Sequence, residues 1–340
     1  MTSTYVLQKK GKPMHIEPLS PDEFTAPITV ITGGWSHERD RSLLSGHTVV
    51  NALTGLGIRT RTIDLHSDRD TLVTSLQGSE LAFLAIAGRG GEDGALQGLL
   101  ETLGAPYTGS GVLSSAVGMN KAVAKRLVSA AGVRVAGSTR VGLTADAPTE
   151  ADRIAELCGY PVIIKPVSEG GSIGLTLARS PEELTAALLA AGDTDLMAEE
   201  YVSGRSISVG ILEERDGTVH VLPPLETETA EGIYSYAAKR TAGGTTYHCP
   251  ARVSAQHHEA LHRQAGTAHR ALGCRSYSRH DFVVSGTSGA VWLEVNTLPG
   301  LSRHGNLARM ATVAGLSYEQ LLAHIVRGAG TDRESGPEGA

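Results

Sequence analysis

"SRHDFVVSGTSGAVWLEVNTLPG", from Ser278 to Gly300, is the stretch on which the reading of this chain turns. Asp-Phe-Val-Val and Ala-Val-Trp-Leu-Glu-Val are strand-like runs, and Ser-Gly-Thr-Ser-Gly between them carries turn chemistry. With the turn centred between Thr287 and Ser288, Asp281 lies opposite Glu294, and Asn296 points to the same face as Glu294. Facing carboxylates repel unless positive charge lies between them, and such oxygen donors suit a hard ion such as Mg²⁺. A solvated acidic pair on an exposed hairpin is the other reading these residues allow.

Outward from the hairpin, strands and helices alternate. "ITVIT" (28–32) reads as a buried strand, followed by a glycine turn and a helix through "SLLSGHTVVNALTGLG". Strands at "RTRTIDL" and "LAFLAIA", with a helix near "DTLVTSLQ" between them, complete a parallel α/β unit. A second unit opens with the helix "NKAVAKRLVSAAG" and includes "YPVIIKP", "IGLTLA" and "SPEELTAALLAA". A third holds "DLMAEEYVSG", "SISVGIL", a helix near 254–272 and the hairpin. The expected division is an extension at 1–26, an N-terminal α/β domain at 27–117, a central unit at 118–198, a C-terminal unit at 199–328 and a disordered tail at 329–340.

The bulk numbers exclude several classes of function. The 340 residues, 41% hydrophobic and 19% charged, describe a globular chain able to bury a large core. A net charge of −6, with no basic tract, argues against nucleic acid as a partner. No apolar run reaches membrane-spanning length and the N-terminus lacks a signal-peptide core, so a cytoplasmic protein is expected. Cys158, Cys249 and Cys274 are scattered and odd in number, which reads as reduced thiols.

Phosphate chemistry is suggested next. Lys165 ends the strand "YPVIIKP", and the loop "VSEGGSIG" follows. Its glycines let backbone N–H groups approach a polyphosphate while the lysine supplies a point charge. Neither this loop nor "GRGGEDGALQG" (88–98) has Walker A or dinucleotide spacing, and each alone is a turn as readily as a site.

In combination, the lysines, the glycine loop and the N-x-x-P-G hairpin resemble the ATP-grasp architecture, and more narrowly the D-alanine–D-alanine ligase family. The resemblance runs from about Ile28 to Val326 through "GGWSHERDRSLLSG", "GRGGEDGALQGLLETLGAPYTGSGVLSSAVGMNK", "KPVSEGGSIG", "AEEYVSG", "SRHD" and "LEVNTLPG". It implies a three-lobed α/β fold with an N-terminal parallel (pre-ATP-grasp) domain, and an enzyme that forms carbon–nitrogen bonds at the expense of ATP. ATP would meet Lys121, Lys165, Ser172, Lys239 from a lid at about 226–249, and Glu199, Tyr201 and Val202 along the adenine. Asp281, Glu294 and Asn296 would hold two Mg²⁺ ions, and Arg279, Glu38 and the backbone of Gly300 would act at the reacting centre. The expected partners are small-molecule substrates and a second copy of the chain in a homodimer.

Several positions depart from the family pattern. The family's His before the "GRGGEDG" segment falls on Ala87, its Ser in the glycine loop on Gly171, its lid Tyr on Arg240, its Ser-Leu pair at the second substrate on Gly305 and Asn306, and its ribose acid on Ser206. Loss of volume at 87 and 171, with a charge gained at 240, leads to the expectation of a larger first substrate than D-alanine. A specialised biosynthetic amino-acid ligase is therefore ranked first and a cell-wall D-alanine–D-alanine ligase second. A ligase adding an amino acid to mycosporine-glycine as an imine and a catalytically silent nucleotide-binding module are the remaining alternatives. His304 and Arg303 are candidates for the second-substrate pocket, Trp35 for a cap over the site and Glu92 for its wall or for fixing a neighbouring loop.

Overall fold

The computed structural model describes residues 16–142, 146–171, 173–229 and 244–332, whose strands form three sheets. In the first, Ile28–Thr32 lies between Thr60–Asp64 and Ala82–Leu84, all parallel. Every residue of Ile28–Thr32 is buried, as a central parallel strand covered on both faces requires. The chain then turns through Gly33 and Gly34 at φ of 74° and 80°, where a Cβ would be strained, and enters the helix Arg39–Gly55. Arg39 ties that turn to the neighbouring strand through a two-pronged pair with Asp64, at 2.7 and 2.5 Å.

Two helices not singled out from sequence, Ala95–Leu103 and Val112–Met119, carry the chain toward the site. The second spans the boundary expected at 117. It delivers Asn120, whose side chain accepts from Val123 N at 3.1 Å and starts the helix Lys121–Ala130.

The second sheet runs in the order Ser138–Arg140, Leu196–Glu200, Val162–Pro166, Thr176–Ala178, and every pair in it is antiparallel. Leu196–Glu200 belongs wholly to this sheet, so the boundary expected at 198 divides a strand. The third sheet is ordered Thr245–His248, Leu225–Thr229, Arg205–Glu213, Tyr277–Ser285, Gly289–Asn296, with Val219–Val221 paired to Arg205–Glu213. The helix Ala255–Ala271, capped by the Ser254 hydroxyl, covers one face of it.

Lobes and sequence segments do not coincide. The core under the first sheet also takes in Leu298, Leu301 and the apolar faces of the helices Asn306–Val313 and Tyr318–Arg327. Part of the expected extension is packed: Leu19 is buried, and Arg327 bonds Glu23 at 2.9 Å. The expected tail is likewise structured as far as Asp332, because Tyr107 and Gly330 exchange backbone hydrogen bonds at 3.2 and 3.1 Å. Buried apolar contacts outweigh the polar composition that marked both ends as loose. Among the described residues no helix is long and apolar enough to cross a membrane, and all three cysteines are free thiols.

Candidate active site

The hairpin pairs Asp281 with Glu294 and Arg279 with Asn296, but by a different route from the symmetrical one. Its loop is centred on Thr287, with Ser285 paired to Gly289 and Phe282 to Trp292. The register shifts between Asp281 and Phe282, so Leu293 is a bulged extra residue. The bulge has a physical reason. Trp292 and Glu294, two residues apart on a regular strand, would share a face. One extra residue sends Trp292 into the core, fully buried, and Glu294 to the cleft side.

Behind the hairpin a chain of hydrogen bonds fixes its inner face. The Trp292 indole donates to His280 Nδ1 at 3.1 Å. Indole N–H can only donate, so His280 carries its proton on Nε2 and gives it to Ser278 Oγ at 3.0 Å. Ser278 then donates to His269 Nδ1 at 2.7 Å, and His269 Nε2 to Glu213 at 3.1 Å. Burial, with His269 and Arg279 nearby, pushes the His280 pKa well below the usual histidine range, in keeping with its accepting role.

On the outer face Arg279 grips Asp281 with two bonds, Nε to Oδ1 at 3.0 Å and Nη2 to Oδ2 at 2.8 Å. Ser208 Oγ donates to the same carboxylate at 2.6 Å. Lys121, first residue of its helix, reaches Glu294 at 3.5 Å and donates to the carbonyl of Glu169.

Lys165 and Glu199 lie on neighbouring strands, Glu199 opposite Ile163 and so diagonal to Lys165 on one face. The Glu199 carboxylate is buried between Lys165 at 2.6 Å and Lys125 at 2.9 Å. Burial alone would raise its pKa, but the two ammonium groups win and hold it below the usual range. Glu199 thus borders the cleft while its charge anchors Lys165. Lys125 is a participant sequence reading missed; its signal was the spacing from Lys121, one helical turn along the same helix.

Two concavities meet at these residues. One lies between the second and third sheets and is lined by Lys165, Ile173, Glu199, Tyr201, Val202, Ser206 and Asp281. The other lies toward the first lobe and is lined by Glu38, Glu92, Gly171, Arg279, Asn296, Gly300, His304, Gly305 and Asn306. Lys121, Glu169 and Glu294 line both. A group bound in the first cavity therefore reaches the second across Lys121 and Glu294.

Some expected site residues are placed otherwise. Arg303 is turned away, bonded to Glu319 at 2.7 Å and stacked on the Tyr318 ring. Trp35 lies against Gly90, 53% exposed, outside both cavities. Ala87 lines a separate small cavity behind Gly300, its backbone held by the hydroxyls of Ser36 and Ser42 at 2.9 Å each. Gly171 does not open the pocket: it has φ +66°, and the Glu38 carboxylate fills the space against Gly170 and Gly171. Ser172, Lys239 and Arg240 lie outside the described residues.

Residues 127–327 match the family model described as D-ala D-ala ligase C-terminus. The D-alanine–D-alanine ligase of Geobacter sulfurreducens is 41% identical over 308 residues, covering 89% of this chain and 93% of the relative. That of Desulforudis audaxviator is 40% identical over 303 residues, 88% and 97% of the two chains. The chain belongs to the D-alanine–D-alanine ligase family.

Solved structures agree with that membership. The D-alanine–D-alanine ligase of Bacillus anthracis complexed with ATP superposes with a TM-score of 0.76 at 27% identity, over 89% of this chain and 97% of that one. The VanG D-Ala:D-Ser ligase of Enterococcus faecalis gives 0.73 at 29% identity, over 88% and 98%. The protein is thus an ATP-dependent, carbon–nitrogen bond-forming ligase with the ATP-grasp fold.

The family's ATP and Mg²⁺ can be tested against the residues present. The donor set on the outer hairpin face is two carboxylates and a carboxamide, all hard oxygen ligands, flanked by Lys121. Among the described residues no three His, Cys, Asp or Glu side chains converge as a self-sufficient metal site. A site of this kind is completed by the substrate's phosphate oxygens, and the set fits Mg²⁺ with a nucleotide.

Proposed function

We propose that this ligase joins two molecules of D-alanine, with ATP converted to ADP and phosphate. One observation carries the reading: Lys121 and Glu294 border both the inter-sheet cleft and the pocket of the first lobe, so a phosphate held in the one would meet an acceptor carboxylate held in the other. Lys165, anchored by Glu199, and Lys121 would bind phosphates, while Tyr201 and Val202 meet the adenine and Ser206 the ribose. Asp281, Glu294 and Asn296 would hold two Mg²⁺ ions, whose chemistry when bound would be to offset the negative charge of the phosphates. Arg279, on the same face, balances negative charge as the acyl phosphate forms and as the amine adds to its carbonyl. Glu38 would pair with the ammonium of the first D-alanine, and the Gly300 backbone would face the developing oxyanion. The reading includes a cytoplasmic setting and a homodimer.

The sequence alone ranks a specialised first substrate ahead of D-alanine. Relatives at 41% and 40% identity along nearly the whole chain support the opposite order. The volume argument also weakens, since Glu38 fills the space beside Gly171 and Ala87 lies apart from the larger pocket. A specialised amino-acid ligase remains the second reading, on the strength of Gly305 and Asn306 in the substrate pocket. The deciding experiment follows ADP release with Mg²⁺ and D-alanine and weighs the product. Rapid formation of D-alanyl-D-alanine is expected. ADP release that requires a different amine or carboxylate would transfer the case to the second reading.

A further inference from the structure

We infer that Glu92 is a positioning residue that, together with the carbonyl of Leu298, sets the orientation of Asn296. The inference rests on the reading of Asn296 as a metal ligand. Glu92 comes from the first lobe, four residues after Gly88, and is only 6% exposed. Its Oε2 accepts from Gly88 N at 2.6 Å. Its Oε1 accepts from Leu298 N at 3.2 Å, on the far side of the lobe junction.

The third contact is with Asn296 itself. The two ends of a carboxamide have the same shape, and the neighbours decide which is which. Here one end lies 2.8 Å from Glu92 Oε1 and 3.3 Å from Leu298 O, both acceptors, so it must be the NH₂ group. An oxygen in that place would face the Leu298 carbonyl with no proton between them, and the Glu92 oxygen beside it already accepts from Leu298 N. The amide oxygen is thereby the end left for a cation. Glu92 thus does for the carboxamide ligand what a carboxylate does for a metal-bound histidine, fixing which atom faces the metal. It also makes that orientation depend on the first lobe, because the same carboxylate is held by the Gly88 loop beside the substrate pocket.

The test reverses the polarity of the pair. In the full-length protein Glu92→Gln puts an NH₂ group where a carboxylate oxygen accepted, against Gly88 N–H on one side or against Leu298 N–H and the Asn296 NH₂ on the other, and Asn296→Asp places a second carboxylate opposite Glu92. The double variant restores one donor and one acceptor with the total charge unchanged. Mn²⁺ binding in the presence of ADP, followed by electron paramagnetic resonance, reads the site without turnover. Each single variant should bind Mn²⁺ about tenfold more weakly, and the double variant should recover most of that loss. The Mg²⁺ concentration for half-maximal ADP release should follow the same order. Wild-type affinity in Glu92→Gln, or a double variant as weak as Asn296→Asp, overturns the inference and leaves the assigned reaction standing. Absence of Mn²⁺ binding by the wild type overturns the metal reading and the inference together. The double variant keeps the test decisive should Glu92→Gln alone fold poorly.

Discussion

Glu199 shows how much one buried charge decides. Its carboxylate, 3% exposed, is shared by Lys165 and Lys125, and losing it leaves two ammonium groups side by side in the interior. Removing one partner from a buried ion set typically costs about 3–5 kcal/mol. Glu199→Gln should therefore lower the unfolding free energy by an amount in that range, moving the denaturant midpoint down, and raise the KM for ATP, since Lys165 loses its anchor. An unchanged midpoint would refute the anchoring role. Ser276 is the opposite case. It is the one non-glycine with positive φ among the described residues, at 64°, and its buried hydroxyl has no partner. The left-handed conformation costs a non-glycine residue about 1–2 kcal/mol, and the extra chain entropy of glycine returns part of that. Ser276→Gly should gain about 1 kcal/mol in urea unfolding, and a loss of stability would show that the hydroxyl is satisfied in solution. Neither role was legible in the sequence: Glu199 was expected along the adenine, but a Glu in "AEEYVSG" and a Ser in "RSYS" carry no local sign of a buried anchoring charge or a strained backbone.

At the scale of the element, the hairpin was legible in its content but not in its path. Alternating apolar residues and a glycine-serine turn predicted two strands and the Asp281–Glu294 pair, and that pair is present. The bulge at Leu293 left no mark in the sequence because it answers a tertiary demand, the burial of Trp292. The buried chain behind it was equally silent, since Ser278, His280 and His269 become partners only when the helix Ala255–Ala271 lies across the sheet. Ser278 is its central link, donating to one histidine and accepting from the other. Replacing it with alanine orphans a nitrogen on each ring, at about 1–3 kcal/mol for each buried unpaired group. Ser278→Ala should lower the melting temperature and speed amide hydrogen exchange at Arg279–Asp281, while exchange in the first sheet stays as it was. Uniform acceleration across the molecule would mean that the chain does not stiffen the hairpin in particular.

For the whole molecule, the family and the three-lobed α/β plan could be read from the order of the motifs, whereas the seams between lobes could not. Residues 16–26 and 329–332 look dispensable by composition and yet pack on the body of the protein, because partners distant in sequence cover them. Ion pairs between distant segments also shape the response of the whole fold to acid. Arg39 holds the Asp64 carboxyl at about 2, tying the first glycine turn to its sheet. Burial alone would raise Glu226, but Arg252 and Arg205 bring it down to about 2 at the base of the strand Leu225–Thr229. Both folded-state values lie below the unfolded ones, so the unfolded chain binds more protons as the pH falls through this range. The stability these pairs contribute is complete above about pH 4.5 and is lost progressively toward about pH 2. Glu226→Gln removes one of the two titrations. The variant should be less stable than the wild type at pH 7, because Arg205 and Arg252 lose their shared anion. Its melting temperature should then fall less steeply between pH 5 and pH 3, so that the two curves converge in acid. Parallel curves across that interval would show that Glu226 titrates alike in the folded and unfolded chain, and that the two arginines do not hold it.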